Sequence, residues 1–249
     1  MALDRIAPDA PLAPQVRVLT TVRTGGVSTN GYASLNLALH VGDAPDAVAR
    51  NRRRLRQALA LPGEPLWMRQ VHGTRAIRAE GAQVVDEDVP VADAAVTRTP
   101  GQVLAVLTAD CLPVVLAARD GHAVGVAHAG WRGLAAGVLE AAVSALEAPA
   151  ADLAAWIGPG ISAACYEVDD VVRTAFADTP GMEQAFMPAR DAEHWYCDLA
   201  ALAEARLRTL GVGAVEQSGL CTGSSPDRFY SYRRDGETGR MATLAWIVP

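Results

Sequence analysis

The stretch from Val103 to Gly133, VLAVLTADCLPVVLAARDGHAVGVAHAGWRG, constrains this chain more than any other. It holds three apolar runs, Val103–Leu107, Leu112–Ala118 and Ala123–Ala127. Each has strand length, is rich in Val or Leu and shows no polar alternation, the pattern of a strand covered on both faces. Between the first two runs stands Thr108-Ala109-Asp110-Cys111. After the third come His128-Ala129-Gly130-Trp131-Arg132-Gly133 and then a helical pattern. A thiol and an imidazole thus sit at the ends of buried strands and beside a helix start, where a rigid scaffold can hold reactive groups open to a cleft.

Taken alone, Cys111 reads as a small buried hydrophobe, and His128 as an imidazole satisfied by a backbone carbonyl. Taken together they ask for more, because Gly130 and Gly133 bracket a Trp and an Arg that a plain strand-to-helix turn does not need. His72, in MRQVHGT, lies 39 residues before Cys111, and His128 lies 17 residues after it. Zinc accepts thiolate and imidazole, and three protein ligands leave a fourth position for water or substrate. Those separations match no compact zinc-finger spacing, so spacing leaves a metal-free alternative open. In that alternative Cys111 is a nucleophile and His128 its base, with the third group unidentified.

The blocks RQVHGT, LTADCLPVVL, AHAGWRG and WIGPGI, the tail FYSYRRDGETGR and the early block RTGGVSTNGYASLNLALHVGD resemble the laccase-domain (polyphenol oxidase-like) family, in order and over nearly the whole chain. Members of that family have been reassigned as purine nucleoside phosphorylases. The resemblance implies that His72, Cys111 and His128 are zinc ligands at the catalytic centre. It also implies phosphorolysis of adenosine, inosine or methylthioadenosine, with adenosine deamination as a further credited activity. Against deamination, the chain lacks the H-x-E…P-C-x-x-C signature of the zinc nucleobase deaminases. Copper is the older expectation for the family, and His₂Cys is the core of a blue-copper site; yet the five histidines include no H-x-H pair of the kind laccases use. Two further alternatives are a cysteine or zinc amidase acting on a cell-wall precursor and a non-enzymatic binding module.

At 249 residues with half of them hydrophobic, the chain can bury a sizeable core, and a net charge of −6 argues against a general nucleic-acid binder. The N-terminus MALDRIAPDAPLAP is polar and broken by proline, and no apolar run approaches the ~20 residues that span a membrane. Four cysteines without a CxxC pair suggest reduced thiols in a cytoplasm. The expectation is a cytoplasmic protein that binds small molecules, purine nucleosides and phosphate, with no nucleic acid or membrane partner, as a monomer or small homo-oligomer.

Residues 1–14 read as a loose arm and residues 15–249 as one domain. Val16–Val22 alternates like a strand, and Arg23–Ser28 reads as a Gly-Gly turn. The family resemblance turns Asn36 towards the site. Asp43 is placed to cap a helix from Pro45 to Leu61 whose run of Arg50, Arg52, Arg53, Arg54 and Arg56 reads as a solvated face. Leu66–Val71 and Ala76–Ala79 read as a strand pair around His72, and Ala92–Thr97 as a further strand. Asp86-Glu87-Asp88 reads as an acidic loop. Gly133–Leu146 has helical periodicity; the free N–H groups at its start favour an anion, and Arg132 adds a permanent charge, so this is a candidate phosphate seat. Leu153–Ile157 reads as a strand, Tyr166–Phe176 as a short helix and Leu199–Leu210 as a helix capped by Asp198. Val212–Gln217 and Arg228–Arg233 read as strands, the latter turning at Asp235-Gly236 into Met241–Ile247. Arg233, beside Tyr232, is a candidate for holding phosphate or stacking on a base, and Asp110 for general acid/base work. Many short strands with few helices and a hairpin predict an α+β domain of mixed sheets. The family implies that these stack as α/β/β/α.

Overall fold

A computed structural model describes residues 3–80, 89–191 and 193–249, and everything below concerns those residues. The acidic loop at 86–88 lies outside them. The first half of the chain runs β1 (Arg5–Ile6), β2 (Val16–Thr21), α1 (Pro45–Ala58), β3 (Ala76–Arg78), β4 (Ala94–Thr97), β5 (Leu104–Thr108), β6 (Leu112–Ala118) and β7 (Val124–Ala129). The second half runs α2 (Trp131–Ala136), α3 (Val138–Leu146), β8 (Leu153–Ile157), β9 (Glu167–Asp169), α4 (Asp170–Thr174), α5 (Met182–Ala185), β10 (Phe186–Pro188), β11 (His194–Cys197), α6 (Leu199–Thr209), β12 (Ala214–Gln217), α7 (Tyr232–Asp235) and β13 (Met241–Ile247).

The strands form a four-stranded antiparallel sheet β1-β2-β13-β5, a six-stranded mixed sheet β12-β8-β6-β7-β4-β3 and a small sheet β10-β11-β9. The two larger sheets lie face to face, and side-chain alternation shows why. Leu104 and Val106 of β5 share one core with Val115, Ala117, Val124, Val126 and Trp156 of the six-stranded sheet. The alternate residues Ala105 and Leu107 turn the other way, onto Leu35 and Leu37 of the preceding loop and Leu55 of α1. Val114 and Leu116 turn outward beneath Leu134, Leu139 and Leu202 of α2, α3 and α6. The layering is therefore α/β/β/α, and the three apolar runs are buried on both faces as expected.

Several local expectations are corrected. Part of the N-terminal arm is paired: β1 adds to the edge of β2, and Leu3 and Ala13 are buried. Leu66–Val71 does not pair with β3; Leu66 and Arg69 make single parallel bridges to Leu104 and Val91, and β3 pairs with β4. The helix expected over 133–146 is two helices, because Gly137 adopts φ +104°, a left-handed turn that suits glycine. Tyr166–Phe176 is not one helix: Glu167–Asp169 pairs with β11, and the Asp169 carboxylate then accepts from Val172 N–H to start α4. Arg228–Arg233 is not a strand, because β2 and β5 already occupy both edges of β13; instead Ser231 accepts from Arg234 N–H and caps α7.

Candidate functional site

The site lies at the seam between the two large sheets. β5 belongs to one and β6 to the other, so Thr108–Cys111 is the crossing between them. Asp110 makes the bend at φ +97° and delivers Cys111 directly before β6. β6 pairs with β7 in the register Leu112↔Ala129 and Pro113↔His128, which brings Cys111 and His128 to the same end of the hairpin.

His72 arrives from a separate loop, and a residue overlooked in the sequence holds it there. Asp93, fully buried just before β4, accepts from the backbone N–H groups of Val71, His72 and Gly73 at 3.1, 2.9 and 2.8 Å. The same carboxylate lies 2.9 Å from Nδ1 of His128. One side chain therefore shapes the His72 turn, where His72 itself sits at φ +58°, and orients the second imidazole. Burial works against a charge on Asp93, but His128 and the backbone donors prevail and hold its carboxyl below the ordinary carboxylate range.

His72, Cys111 and His128 each offer one ligand atom, and these lie within 4.8 Å of one another, with Cys111 Sγ and His72 Nε2 at 3.7 Å. Bond lengths of ~2.3 Å to sulfur and ~2.0 Å to nitrogen in a tetrahedral site would place such atoms ~3.5 Å apart. A methyl group at Gly130 would sit 2.8 Å from both Cys111 Sγ and His72 Cδ2, so the missing side chain is what opens the space where the donors converge. The donor set thus fits a metal ion. Without an ion the donors form an ion pair: burial opposes the thiolate, yet the His128 and His72 imidazoles draw the Cys111 thiol down to about 6. Burial likewise opposes the imidazolium, yet Cys111 and Asp93 raise His128 to about 9. With Nδ1 occupied by Asp93, the second nitrogen of His128 is the one left for the cluster.

These residues form one wall of a cleft of about 480 Å³. Arg132, Arg233 and Arg240 line it together with Trp131, Tyr166 and Tyr232. Arg132 lies over the Trp131 ring at 4.4 Å, and Arg233 over Tyr166 at 4.9 Å while donating to the Glu167 carbonyl. Burial lowers the Arg240 guanidinium, which faces the charge of Cys111.

Six of the seven residues singled out in the sequence line this cleft: His72, Asp110, Cys111, His128, Arg132 and Arg233. Asn36 does not reach the cleft. It is fully buried, accepting from Ala38 and Arg240 N–H and donating to Asp43 and the Ala38 carbonyl, so it supports the Arg240 segment from behind. Asp110 is also fully engaged, accepting from Thr222 Oγ1 at 2.6 Å and Arg233 N–H at 2.7 Å. It braces the crossing from the edge of the cleft. Arg52 leaves the solvated face expected for its run, donating to the Leu37 carbonyl and stacking on Trp67 at 4.0 Å. Among the described residues no helix is long and apolar enough to cross a membrane.

The family model described as multi-copper polyphenol oxidoreductase laccase matches residues 17–248. A purine nucleoside phosphorylase of Xylella fastidiosa (strain 9a5c) is 51% identical over 251 residues, covering 96% of this chain and 95% of that protein. The purine nucleoside phosphorylase YfiH of Escherichia coli (strain K12) is 42% identical over 243 residues, covering 98% of each. Among solved structures, a Neisseria meningitidis protein superposes with a TM-score of 0.92 at 43% identity, covering 98% of this chain and 99% of that one.

Proposed function

The chain belongs to the multi-copper polyphenol oxidoreductase laccase family, and from that membership and its site we propose that it is a zinc-dependent purine nucleoside phosphorylase acting on adenosine, inosine and methylthioadenosine. The observation that carries this reading is the joining of a three-donor cluster to three arginines and three aromatic rings in one cleft. Relatives named purine nucleoside phosphorylase, 51% and 42% identical, support it. The aromatic rings suit a purine and the guanidiniums suit phosphate. His72, Cys111 and His128 would hold the ion, and zinc with an open position polarises an oxygen and lowers the pKa of a bound water.

Arg132 and Arg233 orient phosphate so that an oxygen faces the ribose C1′, and the C1′–N bond breaks towards the base as the new C–O bond forms. Guanidiniums already stacked on neighbouring rings stabilise charge with little reorganisation at the moment of reaction. The same centre serves adenosine deamination as a second activity, with water in place of phosphate.

The test is to incubate the protein with each nucleoside, with and without phosphate, and to resolve the products. Free base and ribose 1-phosphate are expected only with phosphate present, and inosine from adenosine without it. Base release in the absence of phosphate, or no change in any nucleoside, overturns the reading. Phenol oxidation that consumes oxygen and tracks retained copper would establish the oxidase instead.

Arg132→Ala is expected to raise KM for phosphate roughly 10- to 150-fold and KM for the nucleoside far less, the loss of one charge-assisted contact of ~1.5–3 kcal/mol. Steady-state kinetics varying each substrate checks this, and equal changes in both remove Arg132 from phosphate binding.

One observation favours a second reading. Asp93 supplies the third group of a Cys111–His128–Asp93 arrangement, which needs no metal to act as a cysteine amidase. Full activity after exhaustive chelation, together with cleavage of an amide, would put that reading first.

A further inference from the structure

Two cysteines outside the catalytic cluster meet behind the cleft. Cys165 closes a 3-10 turn, Ala163–Cys165, immediately before the cleft residue Tyr166. Cys221 lies in a parallel bridge with Gly160 and precedes Thr222, whose hydroxyl holds Asp110. Both are half-buried and free. A methyl group at Gly223 would sit 3.1 Å from Cys165 Sγ and 3.7 Å from Cys221 Sγ, so this glycine leaves the gap in which the sulfurs approach.

We propose that Cys165 and Cys221 form a peroxide-reactive dithiol, with Cys221 the attacking sulfur and Cys165 the resolving one, closing reversibly to a disulfide that ties the two segments behind Asp110 and Tyr166. The surroundings divide these roles. Cys221 Sγ accepts from Ser162 N–H at 3.4 Å, and Ser162 and Ser224 overcome burial to bring its thiol down to about 7. Cys165 is raised, first by burial and then by its hydrogen bond to Cys221. The thiolate is the nucleophile in such chemistry, and a neighbouring protonated thiol completes it. Arg234 donates to the carbonyls of Thr222 and Gly223 and sets a cation beside the pair.

The chemistry balances with hydrogen peroxide as the oxidant. The Cys221 thiolate attacks one peroxide oxygen, the O–O bond breaks, and a sulfenic acid forms as hydroxide leaves and is protonated to water. The Cys165 sulfur then attacks the Cys221 sulfur, the S–O bond breaks, an S–S bond forms, and the hydroxide departs with the Cys165 proton as a second water. Two thiols lose two electrons and two protons, and the peroxide gains them.

The experiment treats the full chain, and separately its Cys111→Ser variant, with a small molar excess of hydrogen peroxide. Remaining thiols are blocked with iodoacetamide and the digests are read by mass spectrometry. Cys111→Ser removes the thiolate of the catalytic cluster, so the result does not depend on whether the proposed reaction is correct. A peptide pair linked through Cys165 and Cys221, lighter by two hydrogens and reopened by dithiothreitol, is expected in both proteins. In Cys165→Ser the oxidation should stop at a Cys221 sulfenic acid captured by dimedone, whereas Cys221→Ser should give no dimedone adduct at Cys165. Equal iodoacetamide labelling of both cysteines before and after peroxide, or a link from either one to Cys111, would overturn the proposal.

Discussion

Cys111→Ser is expected to lower kcat/KM for phosphorolysis at least ~10³-fold and to leave the protein without bound zinc. Three protein ligands have no spare donor, and several kcal/mol of transition-state stabilisation would go with the ion, at 1.36 kcal/mol for each tenfold in rate. Substrate turnover and elemental analysis of protein purified without added metal measure the two effects. Cys111→Ser would also silence a cysteine hydrolase, so His72→Ala is the separating variant. His72 is a donor of the metal cluster but stands outside the Cys111–His128–Asp93 arrangement. Equal losses of metal and activity in His72→Ala and Cys111→Ser are the expected result. Retained activity in His72→Ala would remove the ion from the reaction.

Much of this centre is legible before any coordinates. Unbroken apolar runs forecast β5, β6 and β7, and strands buried on both faces can only belong to a layered structure. The positions of Cys111 and His128 at the ends of those runs follow from the same reading. Asp93 stays hidden because its signal is one carboxylate inside VADAAV, and nothing local says that it reaches a loop 20 residues earlier. Asn36 misleads because the family resemblance alone turns it towards the site; its amide instead lies outside the cleft lining and satisfies buried backbone of Ala38 and Arg240. The misread segments 166–176 and 228–233 fail where pairing partners from distant parts of the chain decide the outcome. β11 recruits Glu167–Asp169, and β2 and β5 close β13 to a hairpin.

Asp93→Ala is expected to destabilise the fold and weaken metal binding together. It leaves three backbone N–H groups and the His128 Nδ1 without their acceptor. Removing one partner of a buried charged arrangement costs ~3–5 kcal/mol, and at ~2–4 °C per kcal/mol for a domain this size Tm should fall roughly 6–20 °C. Loss of a group that orients a ligand typically lowers metal affinity ~10- to 100-fold. Thermal unfolding of the metal-free protein isolates the first effect, and competition with a chromophoric chelator the second. The pH dependence carries a sign. The folded-state pKa of Asp93 is depressed, so its contribution is present above the ordinary carboxyl pKa of ~3.9 and fades as pH falls through and below that value. The metal-free wild type should therefore lose Tm on acidification through that range more steeply than Asp93→Ala. Parallel profiles would mean that the carboxylate does not support the fold.

The three donors are held by sheet register, by the crossing between sheets and by Asp93, none of which requires an ion to be in place. Small zinc modules obtain their fold from the metal; this chain should fold first and metallate afterwards. A preformed cup of two imidazoles and a thiolate offers little geometric veto, and divalent copper outcompetes zinc for most donor sets. Occupancy would then follow whichever ion the surrounding fluid buffers at the higher free concentration relative to its dissociation constant. Isolates prepared under different metal supply should accordingly carry different ions on an unchanged scaffold. A family description that says copper and a proposed zinc activity can attach to one protein architecture without contradiction.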